Sequence, residues 1–133
     1  MVKMPKEVMD ALAEEHALKM VATVSSKKVP NAVIIATVSP FDENTVGFAD
    51  LKLGKTRQNM EETKKFTVTV FKPNLESYQI KCSFTGFLER GDLAYQMGEE
   101  VYKRVRFNPR AFATGKVEEV YSTSLGNPGE RLV

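Results

Sequence analysis

TVGFADLKLGKTRQNMEETKKFTVTVF, residues 45–71, decides how this chain must fold. Three elements succeed one another with almost no linker. Thr45–Ala49 is a short apolar strand. Leu53-Gly54 is a turn, glycine there permitting a backbone conformation closed to other residues. Lys55–Thr63 is a brief charged helix with Met60 as its inward anchor. Lys65–Phe71 then returns to a two-residue period, with Phe66, Val68 and Val70 on one face and Thr67, Thr69 and Phe71 on the other.

Towards the N-terminus, Pro5–His16 is predicted helical. Val8, Leu12 and Met9 form its apolar stripe, Pro5 sits in the first turn, and Glu7, Asp10, Glu14 and Glu15 face water. Leu18, Met20, Ala22 and Val24 then alternate with Lys19, Val21 and Thr23, the period of a strand. After the polar turn Ser25–Lys28, Val29–Val38 makes the second strand of a hairpin, and Pro30 marks its start as an edge or a loop. Pro40–Asn44 reads as a turn.

Towards the C-terminus, Lys72–Glu76 turns and Ser77–Glu89 is the longest strand. Tyr78, Ile80, Cys82, Phe84 and Leu88 alternate along it, while Gly86 and the Gly91 turn invite a bend. Asp92–Asn108 is predicted as a helix ended by Asn108-Pro109. Ala111–Tyr121 is the last strand and Ser122–Val133 a loose tail. Six short strands, with connections mostly too short for parallel crossovers, predict a mainly β protein. A small closed or half-open antiparallel barrel is the expected solution, since closure removes exposed edges.

The 133 residues suit a single domain, with enough chain for an apolar core without disulfides or a structural metal. Lys plus Arg is 19 and Asp plus Glu is 17, a formal charge of +2. Nucleic-acid backbone binders concentrate positive charge, and here the one basic group, Lys103, Arg104, Arg106 and Arg110, adjoins Glu99 and Glu100; no nucleic-acid partner is expected. Phe71, Phe84 and Phe87, which could otherwise stack bases, read as core positions. Cys82 is the only cysteine and His16 the only histidine. They provide no intrachain disulfide, no Cys-based metal motif and no local Ser/His/Asp or Cys/His constellation. Cys82 lies on an alternating apolar face and reads as an inert buried thiol, and His16 as a structural or surface residue. The N-terminal MVKMPKEVMDALAEEH is interrupted by charges, and no run reaches the roughly 20 apolar residues that span a bilayer. A cytoplasmic protein with no membrane partner is the expectation.

Gly54-Lys55-Thr56 superficially suggests a nucleotide P-loop, but that motif wants a glycine five residues earlier, where Ala49 stands. A simpler phosphate site remains. A helix starting near Lys55 offers unpaired amides to an anion; Lys55 adds a cation, Thr56 a hydroxyl, and Asn59 an amide one turn on. The competing reading makes Lys55 and Arg57 ordinary solvent-facing charges and Thr56 a cap. Spacing alone leaves the two open.

ALKMVATVS (17–25), VPNAVII (29–35), VGFADLKLGKTRQNMEETKKFTVTVF (46–71) and YQIKCSFTGFLERG (78–91) together resemble the FMN-binding split-barrel proteins related to pyridoxamine 5'-phosphate oxidase, in particular the compact FMN-binding members. The likeness runs over about Leu18–Val120. It implies a six-stranded antiparallel Greek-key split β-barrel with short peripheral helices, forming a homodimer with FMN in each of two interface clefts. It implies that Lys55 and Thr56 hold the flavin phosphate, with Asn59 nearby. The ring would lie along Ile34, Ile35, Ala36 and Thr37 and along Phe48, Ala49 and Asp50. Gln79 and Lys81, on the strand face opposite Tyr78 and Ile80, are placed by alternation within reach of the ring or ribityl chain. The chain lacks the long extension and the paired Arg and His residues with which the larger oxidases grip a pyridoxine phosphate. The activity implied is that of an FMN-dependent oxidoreductase or electron-transfer protein acting through flavin N5, with no side-chain catalyst. The alternative is a flavin carrier or a binder of a nucleotide-like ligand, without turnover.

Overall fold

The computed structural model describes residues 2–89, 99, 103, 109 and 111–133. The predicted helix Asp92–Asn108 and the basic group Lys103, Arg104, Arg106 and Arg110 lie outside the described residues, apart from Glu99 and Lys103. In chain order the elements are α1 (Lys6–Ala13), β1 (Leu18–Val24), β2 (Pro30–Ile34), β3 (Ser39–Asp42), β4 (Thr45–Ala49), α2 (Lys55–Thr63), β5 (Lys65–Phe71), β6 (Ser77–Leu88), β7 (Phe112–Ser122) and β8 (Glu130–Arg131). α1 is shorter than expected, with Pro5 as its N-cap and Glu14 as its C-cap.

All the strands join one antiparallel sheet in the order β2-β1-β5-β6-β7-β4-β3, with β8 added to the end of β7. The expected six-stranded Greek-key split barrel is therefore not what forms. Among the described residues there are eight strands, and the hydrogen-bonded path is open: β2 ends it on one side and β3 on the other, with no ladder between these two. The segment expected to run as one strand over Val29–Val38 stops at Ile34, and the expected turn at Pro40 is instead part of β3. The physical reason lies in the prolines. β2 begins at Pro30 and β3 contains Pro40, and a residue without an amide donor is a poor template for a further strand. The edges are blunted by these prolines and are not removed by closure.

One face of the sheet carries the core. Val21, Val68, Ile80 and Val120 form a cross-strand row through four neighbouring strands, all fully buried. α1 covers this face with Val8, Ala11 and Leu12, and α2 with Met60. The register of β1 against β5 selects Lys19, Val21 and Thr23 for the covered side. It leaves Leu18 exposed on the open side beside its partner Phe71, which is also exposed and not core as expected. The bend expected at Gly86 is present as a register shift in the β6–β7 ladder, with Gly86 at φ 133°. Among the described residues no helix is long and apolar enough to cross a membrane.

Candidate functional site

α2 starts at Gly54, whose φ of 55° and ψ of −118° suit glycine and whose missing side chain leaves the helix without a side-chain cap. The first turn holds no acidic residue. Lys55 is exposed there. Thr56 and Asn59 behave differently. Thr56 is buried and its hydroxyl accepts from Asn31 Nδ2 of β2 at 3.2 Å. Asn59 is buried and donates Nδ2 to the Thr23 hydroxyl of β1 at 3.0 Å. These two bonds dock α2 on the sheet, so the cation faces solvent while the two polar neighbours hold the helix in place.

A second set of bonds ties the same helix to β4. The Ala49 amide donates to the Thr37 hydroxyl at 3.0 Å, bringing together the two segments expected to flank a ring. Asp50, with a fully buried side chain, accepts from the amides of Lys52 at 3.3 Å and Leu53 at 3.4 Å through Oδ1, and from Arg57 Nη1 at 2.5 Å through Oδ2. Arg57 also donates Nε to Glu61 at 3.0 Å and lies 4.0 Å from the centroid of the Phe87 ring. The bond to Glu61 and then that to Asp50 outweigh partial burial and raise an already high pKa, making Arg57 a fixed cation.

The remaining expected residues fall into two groups. Ile34, Gln79 and Lys81 share the open face. Ile34, Met20, Thr69, Gln79 and Tyr121 make one cross-strand row, and Lys81 lies in the next, its ammonium 5.0 Å from the Tyr121 ring. Ile34 is 64% exposed. Phe48 points the other way, fully buried and edge-to-face with Phe66 at 5.3 Å, so its side chain belongs to the core and not to a ligand site. Ile35 is half-buried and donates its amide to the Lys19 carbonyl at 3.0 Å; Ala36 is exposed.

Of the first-turn amides of α2, that of Thr56 is already taken, donating to the Leu53 carbonyl at 3.1 Å. An exposed cation at a helix start without a side-chain cap fits a phosphate ester. An open groove along α2, lined by Gly54, Arg57, Gln58, Glu61 and Glu62, does not: Arg57 is already paired and two carboxylates repel an anion. Among the described residues no group of three or more His, Cys, Asp and Glu is arranged to hold a metal. Sequence reasoning missed the parts played by Arg57, Asn31 and Thr23. Arg57 stood there only as a solvent-facing charge, and nothing local marks a pair seven residues apart.

No protein-family model matches the chain, and no curated protein matches it in sequence. Solved structures do. HupZ of Group A Streptococcus is 21% identical, with 98% of this chain and 99% of that one covered and a TM-score of 0.81. An FMN-binding protein of Syntrophomonas wolfei subsp. wolfei is 16% identical over 90% of this chain and 88% of that one, at a TM-score of 0.78. HutZ, the heme storage protein of Vibrio cholerae, is 13% identical over 91% and 95%, at 0.59. The likeness is one of fold: the chain folds as these solved structures do, and one of them is described as FMN-binding and another as a heme storage protein.

Proposed function

We propose that the chain binds FMN and works as a flavin-dependent oxidoreductase or electron-transfer protein, as a homodimer whose cleft admits a small redox partner. The observation that carries the reading is Lys55, an exposed cation at the uncapped start of a helix docked beside edge strand β2. The matching fold of an FMN-binding protein adds support. Lys55 at the start of α2 would bind the phosphate, and the backbone of Ile34–Thr37 would line the ring. Gln79 and Lys81 would reach it across the open face, on the same chain or from its copy. When bound, the flavin supplies hydride or single-electron transfer at N5, and this chain supplies orientation and hydrogen bonds.

Heme is the reading that HutZ suggests. It asks for an axial ligand, and the one histidine, His16, is exposed just after α1. A flavin needs no such ligand, which favours FMN. Titrating the purified protein separately with FMN, riboflavin and hemin tests the choice. FMN should bind more tightly than riboflavin and show a perturbed flavin spectrum; binding of hemin alone would overturn the reading. Reduction of the flavin-loaded protein by NAD(P)H, followed by reoxidation by a defined acceptor, separates turnover from carriage.

A further inference from the structure

We propose that Arg57 is the positioning residue of this site: its ion pair with buried Asp50 fixes the loop that presents Lys55, at the start of α2, to a phosphate ester. The inference rests on the flavin-phosphate reading and deepens it. Asp50 ends the run of β4, and its carboxylate gathers the Lys52 and Leu53 amides as well as the Arg57 guanidinium. The loop so gathered is one that needs holding. Lys52 has φ 90° and Gly54 φ 55°, and a side-chain-bearing residue in the left-handed region persists only where its surroundings fix it.

Arg57 does not serve the phosphate directly. Two residues along a helix is a rotation of about 200°, so Arg57 and Lys55 leave α2 on nearly opposite sides. The guanidinium is already bonded to Asp50 and Glu61 and stacked on Phe87 of β6. It locks three elements, the end of β4, α2 and β6, and transmits that order to Lys55 through the backbone between residues 50 and 57. Asp50 is thereby assigned a place beneath the site and not against the ring.

The test uses Arg57→Gln, Asp50→Asn and the double variant D50N/R57Q, which removes both charges of the pair together and so keeps the comparison usable where a single variant folds poorly. FMN and riboflavin affinities are measured for each, together with amide exchange at Lys52 and Leu53 in the unliganded protein. Every variant is expected to lose about tenfold or more in FMN affinity, with riboflavin changed by no more than about twofold. The double variant should be no worse than the more severe single, and both amides should exchange faster before any ligand is added. Retention of FMN preference by Asp50→Asn or by the double variant would overturn the positioning role while leaving the flavin reading intact. A wild-type protein with no preference for FMN over riboflavin would bring down the flavin reading, and this proposal with it.

Discussion

The Phe66 ring of β5 occupies the space that a side chain on Gly115 of β7 would need: a Cβ there would stand 2.3 Å from Phe66 Cζ and 3.1 Å from Cys82 Cβ. Phe66 is 2% exposed and edge-to-face with Phe48, so it has nowhere to retreat. Gly115→Ala is expected to destabilise the protein by about 1–3 kcal/mol through overpacking. Phe66→Leu in the same chain should recover part of that loss. Urea midpoints for the two single variants and the pair check this; strictly additive losses would show that the ring is not the obstacle.

Asn59 is a second internal contact with a measurable worth. Its amide bond to Thr23 is buried and spans 36 residues. Asn59→Ala should cost about 1–3 kcal/mol in the unliganded protein, because the Thr23 hydroxyl loses its partner in a dry site. A cycle with Thr23→Val should return a coupling of about 1 kcal/mol. A residue that acted only on a ligand would leave unliganded stability unchanged.

The local rhythm of residues 45–71 made β4, α2 and β5 legible to the residue, because strand and helix periods change there without ambiguity. β3 was hidden by Pro40, which reads locally as a turn and which an edge strand tolerates. β8 is two residues long and exists only because Tyr121 and Ser122 pair with Arg131 and Glu130. The covered face of β1 was hidden too: both alternating sets contain apolar residues, and only the pairing of Val21 with Val68 chooses between them. At the candidate site, the start of α2 at Lys55 was readable. The inward turn of Thr56 and Asn59 was not, because their partners Asn31 and Thr23 are 25 and 36 residues away.

Burial, and secondarily the charge of Glu118, pushes the Cys82 thiol up from 9.0 to about 12. Between those values the unfolded chain gives up the proton and the folded chain keeps it. Stability from this group is therefore complete below about pH 9 and falls as pH rises, by at most about 1.4 kcal/mol per pH unit. Cys82→Ala carries a cavity cost but not this slope, so the stability gap between the two proteins should narrow from about pH 9 upwards. Parallel curves would refute the assignment. At neutral pH the native thiol should resist iodoacetamide and react promptly in urea.

Lys55 offers the most direct probe of the phosphate site. Lys55→Ala should weaken FMN binding by about tenfold or more, as loss of a charge-assisted contact does, and leave riboflavin within about twofold. The helix should survive, since Lys55 is exposed and makes no ion pair with a described residue. The FMN loss should also shrink at high salt, where an exposed charge is screened. Equal losses for the two flavins would mean that Lys55 acts on the fold and not on the phosphate.

Leu18 and Phe71 stand opposite each other on the open sheet face, 45% and 41% exposed, and Ile34 extends the apolar surface along β2. A face of this kind is costly to leave in water, and a second copy related by a two-fold axis would cover both patches at once. The wild-type protein should therefore sediment as a dimer. Phe71→Glu, removing an anchor worth about 1.5–3 kcal/mol when fully buried and adding a charge, should raise the dissociation constant by at least tenfold. It should leave the monomer folded, because Phe71 contributes nothing to the covered core. FMN occupancy should fall with the dimer if the cleft needs both copies. A stable monomer fully loaded with FMN would show that one sheet face suffices to hold the flavin, and the homodimer would have to be abandoned.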